Sequence, residues 1–199
     1  MEITAEQVKE LRDKTGVGIM DCKKALAECK GNVEEAVDYL RKKGIATAKK
    51  RGGRTTSEGQ VASYIHAGGK IGVLIEINCE TDFSGKTEDF SEFARNIAMH
   101  IAATNPMALD RDSLTQDVLD RERDIYSTQA RDSGKPEKII DKIVEGKMNK
   151  FYSEACLLEQ PYVKNPDITI QDLVNEMIAK TGENIVIRRF TRYQLGEES

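Results

Sequence analysis

The sequence predicts an α+β fold, with a three-helix unit at the N-terminus followed by a core of three-stranded antiparallel sheet with helices. Three observations carry this. Apolar residues recur at helical spacing in three short, glycine-punctuated segments before residue 45. Two runs rich in β-branched residues, 61–66 and 71–79, flank Ala67-Gly68-Gly69-Lys70, which is the signal of a hairpin. A third such run, 184–193, arrives only after several helical stretches, and strands grouped apart from helices favour an antiparallel sheet over alternating βαβ units.

The elements follow in order. Thr4 and Gln7 have the spacing of a capping box and Ile3 and Val8 that of a hydrophobic staple, so a first helix starts at Ala5 with Val8 and Leu11 on its apolar face. Gly16 and Gly18 interrupt it. A second helix over 19–29 places Ile19, Cys22, Leu26 and Cys29 on one side. After Gly31-Asn32, the pair Asn32 and Glu35 repeats the capping spacing, and Val33, Ala36, Val37 and Leu40 line a third helix that ends at Gly44. Residues 41–54 then hold seven basic side chains (Arg41, Lys42, Lys43, Lys49, Lys50, Arg51, Arg54) and no acidic one. This stretch reads either as a basic linker or as a helix end whose cations suit the dipole. The expected domains are 1–54, helices and linker, and 55–199, the core.

In the core, residues 71–77 begin apolar on both faces, which makes that strand central. Phe90, Phe93, Ala94, Ile97, Ala98 and Ile101 keep a 3.6-residue period, so a helix runs there until Asn105-Pro106 stops it. Further helices are expected over 116–132, ending at Gly134, and from Pro136 onward with Ile139, Ile140, Ile143 and Val144. Pro161 and Pro166 mark a loop. Thr169 caps a last helix through Leu173, Val174, Met177 and Ile178, closed by Gly182.

Composition removes several function classes. With 199 residues, 39% hydrophobic and 32% charged, the chain can bury a real core. The net charge of -4 argues against a uniformly basic nucleic-acid binder, and it conceals an asymmetry: residues 1–54 carry 13 basic and 9 acidic side chains, the remainder 17 and 25. No run approaches the roughly 18 apolar residues of a membrane span. The acidic start Met1-Glu2-Ile3-Thr4-Ala5-Glu6 fits neither a secretory signal nor an Arg-rich transit peptide, so a cytoplasmic location is expected. Cys22, Cys29, Cys79 and Cys156 form no C-x-x-C pair, and His66 and His100 stand far apart, so neither a zinc site nor a resident cofactor is expected. No catalytic signature is present, which speaks against an enzyme.

One motif needs a test. Gly85-Lys86-Thr87 follows a predicted strand and precedes a predicted helix, the context of a phosphate-binding loop. Glu80 stands where such a loop needs its first glycine, however, and Asp82 lies inside it. Like charges at about 4 Å cost roughly 4 kcal/mol at an effective dielectric near 20, so direct nucleotide binding is not expected. That leaves Asp82 and Phe83 at the end of the central strand. An aromatic beside a carboxylate there fits an element that wedges into a partner and competes for its metal; a Phe83 folded back under the next helix is the alternative.

Two longer motifs resemble a known family. Thr15-Gly16-Val17-Gly18-Ile19-Met20-Asp21-Cys22-Lys23-Lys24-Ala25-Leu26 and Ile77-Asn78-Cys79-Glu80-Thr81-Asp82-Phe83 are similar to the two signatures of the translation elongation factor Ts family, in the right order. Ala98-Met99-His100-Ile101-Ala102-Ala103, Ser133-Gly134-Lys135-Pro136 and Glu183-Asn184-Ile185-Val186-Ile187-Arg188-Arg189-Phe190 support the match across nearly the whole chain. One departure stands out: Ser84-Gly85 replaces the small apolar pair usual after Asp82-Phe83, which puts the pose of Phe83 in question.

The resemblance implies a ubiquitin-associated-like (UBA-like) N-terminal domain, a basic linker and a sheet-based core. It also implies a guanine nucleotide exchange factor that binds elongation factor Tu carrying GDP and promotes GDP release during translation elongation. The matching contact residues are Val17, Ile19 and Met20 for docking, and Asp82 and Phe83 for entry beside the partner's magnesium site. Burial of Ile19 and Met20 within their own domain is the competing reading. Ser63-Tyr64-Ile65-His66 resembles a further contact that long members carry in a second core half. With both elements on one core half, a symmetric homodimer in a 2:2 complex is expected, joining Phe83 of one chain with His66 of the other. An RNA- or ribosome-associated role through the basic stretch is the alternative.

Overall fold

The computed structural model describes residues 3–197, so Met1 and Glu2 of the acidic start lie outside the described residues, as do Glu198 and Ser199. The order is α1 (Ala5–Thr15), α2 (Ile19–Glu28), α3 (Val33–Arg51), β1 (Glu58–Ile65), β2 (Ile71–Cys79), α4 (Asp82–Gly85), α5 (Glu88–Thr104), α6 (Gln116–Asp132), α7 (Glu137–Ala155), β3 (Pro161–Tyr162), β4 (Asn165–Thr169), α8 (Ile170–Thr181) and β5 (Ile185–Gln194). The main sheet has the order β1-β2-β5, with the strand expected to be central in the middle. His66 donates its N–H to Ile71 O, closing the β1–β2 hairpin. Leu195 N–H meets Lys70 O at one end of β2, and Asn184 N–H meets Glu80 at the other, so β5 runs antiparallel to β2. The fold is therefore α+β. Among the described residues no helix is long and apolar enough to cross a membrane.

The described residues form two compact units; the first comprises residues 3–62, 75–95 and 172–188. Its N-terminal part is set by local chemistry. Gln7 N–H donates to Thr4 Oγ1 (3.2 Å) and Thr4 N–H to Gln7 Oε1 (3.0 Å), the reciprocal cap expected for α1, and Gly16 ends that helix at φ 66°. Asn32 Oδ1 accepts the N–H groups of Glu34 and Glu35 to open α3. Val8, Leu11, Val17, Cys22, Ala25, Leu26, Ala36 and Leu40 make one buried cluster. Elsewhere in this unit Ile75, Ile77, Cys79, Phe90, Phe93, Val174, Met177, Ile178, Ile185 and Ile187 are buried.

The third helix does not end at Gly44. It runs on to Arg51, so the expected basic linker is largely the last two turns of α3, with Lys49, Lys50 and Arg51 at its negative dipole end. Glycine interrupts a helix only by its propensity, at about 1 kcal/mol. Here a Cβ on Gly44 would lie 3.2 Å from Ala179 Cβ of α8, so the glycine admits a close helix contact that replaces what propensity loses. Arg41 pairs with Asp172 of α8 at 2.9 Å on the same side.

The second unit comprises residues 63–74, 96–171 and 189–197. Helices α6 and α7 pack as an antiparallel pair. His100 is fully buried: Val163 N–H donates to Nδ1 (3.3 Å), so Nε2 carries the proton and donates to Gln160 Oε1 (2.8 Å). Residues 161–169 differ from expectation. They are a small hairpin, Pro161 pairing with Thr169 and Tyr162 with Asn165, where a loop was predicted from the two prolines. A two-stranded ribbon has only edges, and Pro161 opens its strand, so neither proline removes an interior ladder bond.

Candidate functional site

Strand β2 ends at Cys79, and the next six residues build a short, held turn. Cys79 is buried, with its thiol donating to Thr81 O (3.0 Å). Burial pushes that thiol up from its ordinary range, and Glu183 adds to the effect, so Cys79 is a packing residue rather than a nucleophile. Thr81 caps α4: its Oγ1 accepts Ser84 N–H at 3.4 Å. Glu183 grips Thr81 twice, accepting the backbone N–H (3.0 Å) and the hydroxyl (2.6 Å). Ser84 and Gly85 are buried. Gly59 has φ 139° with its Cβ position 2.1 Å from Ile77 O, so only glycine fits there, and a Cβ on Gly85 would sit a tight 3.3 Å from Gly59 Cα. Gln60 Nε2 donates to Gly85 O and to Ser91 Oγ.

Glu80 faces away from the turn. Its carboxylate accepts Asn184 N–H at 2.6 Å and lies 3.3 Å from Arg54 Nη1 and 3.6 Å from Arg51 Nη1. The Asn184 N–H, then the hydrogen bond and charge of Arg54 and the charge of Arg51, hold this carboxyl below its ordinary range. Asn184 in turn donates its Nδ2 to Arg54 O at 3.0 Å. The end of α3, the end of β2 and the start of β5 are thus tied at one carboxylate.

What the turn presents is Phe83, 79% exposed, at the second position of α4. The alternative of a Phe83 folded under the next helix does not occur, because Lys86 and Thr87 separate α4 from α5 and shift the helical phase. Beside it, Asp82 accepts Lys86 Nζ at 2.7 Å, and that hydrogen bond and charge hold the Asp82 carboxyl below its ordinary range. Lys86 is therefore engaged by a carboxylate four residues back.

The other predicted positions are equally well defined. Ile19 and Met20, in the first turn of α2, are 54% and 66% exposed, against the reading that buries them in their own domain. Val17 differs from its two neighbours: it is buried in the N-terminal cluster, and its carbonyl accepts Cys22 Sγ. His66 is exposed at the β1–β2 hairpin of the second unit, 3.1 Å from Tyr64 Oη through Nδ1.

A sequence profile described as Elongation factor TS matches residues 4–197. The chain belongs to the elongation factor Ts family. Elongation factor Ts of Syntrophobacter fumaroxidans is 61% identical over 198 residues, covering 100% of this chain and 99% of its own length. That of Desulfosudis oleivorans is 61% identical over 195 residues, 98% of each chain. That of Geobacter metallireducens is 61% identical over 197 residues, 99% of this chain and 91% of its own.

Within this elongation factor Ts fold, the structure answers the question raised by Ser84-Gly85. The pair sits in a space too tight for a Cβ at 85 without displacement of Gly59, and Gly85 O is tied by Gln60, so the turn is held rather than loosened. Arg51, Arg54, Glu183 and Asn184 were not expected as supports of the turn, and Glu80 stood out only as the residue that breaks a phosphate-loop pattern. The available signal was the buried-partner demand of a carboxylate in an otherwise apolar strand end, but its partners lie up to 104 residues away.

Proposed function

We propose that the chain is a guanine nucleotide exchange factor: it binds elongation factor Tu carrying GDP and promotes GDP release by displacing magnesium and disturbing the phosphate site, during translation elongation. The observation that carries this is a large aromatic, Phe83, four-fifths exposed on a turn that is anchored on every side, next to an ionised Asp82. A large exposed aromatic on a held support is the kind of side chain that a partner buries at the centre of an interface. Asp82 brings negative charge to the same point, where it competes with phosphate for the partner's magnesium.

Exchange acts by differential binding, so no bond is made or broken and the chain is not an enzyme in the covalent sense. Weakening a bound nucleotide ~10⁴-fold requires about 5.5 kcal/mol of difference between states. Burying one phenylalanine supplies roughly 1.5–3 kcal/mol, so disturbance of the magnesium supplies the rest. Residues 1–54 serve as a UBA-like docking domain through exposed Ile19 and Met20, with Val17 as the buried support of their turn, and residues 55–199 serve as the core. Lys86 is held by Asp82, which fits a chain that binds no nucleotide itself.

The working unit is a homodimer in a 2:2 complex. Ile65, Leu74, Tyr193 and Leu195 of the second unit are exposed around one groove, an apolar surface suited to a second copy. In such a dimer the two chains present Phe83 of one and His66 of the other to a single partner. Light scattering in solution is expected to give the dimer mass, and Leu74→Asp to give the monomer; a fully active wild-type monomer would overturn this part. The RNA reading is less favoured, because Arg41, Lys43, Arg51 and Arg54 of the seven basic residues are engaged with Asp172, Asp21 and Glu80. The deciding experiment is release of fluorescent GDP from elongation factor Tu with and without the chain.

A further inference from the structure

We infer that Glu80 is a positioning residue that fastens the C-terminus of α3 to the Phe83 turn, so that the docking surface on α2 and the exposed phenylalanine move as one body. The inference rests on the exchange reading above. The contacts run without a break through the first unit. Met20 adjoins Asp21, which pairs with Lys43 of α3 at 2.7 Å. From Lys43 the helix continues for two more turns to Arg51, and Arg51 and Arg54 both reach Glu80. Glu80 is followed directly by Thr81, the N-cap of the turn that carries Phe83, and Thr81 is held from the other side by Glu183.

The chemistry of Glu80 suits a fastener. Its side chain is only 20% exposed, and both oxygens are used: Oε1 by Asn184 N–H and Arg51, Oε2 by Arg54. A carboxylate with two guanidinium neighbours and a backbone donor fixes three chain segments at one point, which neither hydrophobic contact nor a single ion pair does. Asp82 and Lys86, by contrast, form an exposed i,i+4 pair within the turn itself. Energy gained when α2 docks is therefore transmitted to the angle of α4 through α3, a rigid element, and through Glu80.

The test uses Glu80→Gln in the full chain. Glutamine retains an oxygen for Asn184 N–H and removes the charge facing both arginines. Release of fluorescent GDP from elongation factor Tu, titrated with factor, gives the rate at saturation and the half-saturating concentration. Expected is a rate at saturation lower by about 3- to 30-fold with half-saturation within about twofold. In a Phe83→Ala background, Glu80→Gln should slow release no further, because its effect is exerted through Phe83. A merely structural residue would multiply with Phe83→Ala. Arg54→Gln, at a half-exposed position, gives a second reading that does not depend on Glu80→Gln folding: it should slow release in the same direction and be non-additive with Phe83→Ala. Phe83→Ala slow with Glu80→Gln and Arg54→Gln at the wild-type rate overturns this inference alone. Phe83→Ala at the wild-type rate overturns the exchange reading and this inference with it.

Discussion

Replacing Phe83 by alanine removes the side chain on which the proposed exchange reaction depends. In the free protein the ring is 79% exposed, so its loss should change stability by less than about 0.5 kcal/mol, as for most surface substitutions. In the complex the same ring has about four-fifths of its burial still to gain. Full burial of a phenylalanine is worth roughly 1.5–3 kcal/mol, so about 1.2–2.4 kcal/mol is available for the state in which GDP leaves. At 1.36 kcal/mol per decade, that predicts release slowed by about 8- to 60-fold at saturating factor. Stopped-flow release of fluorescent GDP measures the rate, and thermal denaturation checks the fold. A Phe83→Ala protein with an unchanged melting temperature and a release rate within twofold of wild type would refute the reasoning, since it would mean that the exposed ring is not what the partner buries.

Other outcomes follow from the same geometry. Met20 is two-thirds exposed, so Met20→Ala should weaken association with elongation factor Tu by about 5- to 30-fold in titration while leaving the release rate at saturation near wild type. The buried His100 titrates below its ordinary 6.5, because burial disfavours the imidazolium more than the Gln160 contact favours it. The folded chain thus refuses a proton that the unfolded chain accepts below pH 6.5. The associated stability is full above pH 6.5 and drains as the pH falls toward the depressed folded value, by at most about 1.4 kcal/mol per pH unit. Melting temperatures at pH 7.5 and 5.5 should differ accordingly, and the slope should flatten in His100→Gln; an equal slope in that variant would contradict the assignment.

What was legible in the sequence was whatever short-range chemistry decides. The cap of α1 is read directly from Thr4 and Gln7, and α6 from Gln116 to Asp132, because the signals lie within a few residues of their effect. Gly44 misled for the opposite reason: its local preference is to stop a helix, and only the distant approach of Ala179 explains why α3 continues. Pro161 and Pro166 read as loop because a proline is excluded from the interior of a sheet, a rule that a two-stranded ribbon does not engage. At the site, Asp82 and Phe83 were marked by their place after the central strand, but the exposure of Phe83 was undecided, since it turns on the break between α4 and α5. Glu80 was visible as a carboxylate and not as a tie, because Arg51, Arg54 and Asn184 meet it only in three dimensions.

The central claim is that this chain drives GDP off elongation factor Tu. It is tested by loading the GTPase with fluorescent GDP, mixing it with excess unlabelled GDP, and following release as the chain is titrated in. The account predicts that the release rate rises with factor concentration and saturates well above the intrinsic rate. Release at the intrinsic rate at every concentration, with a complex demonstrably formed, would contradict it.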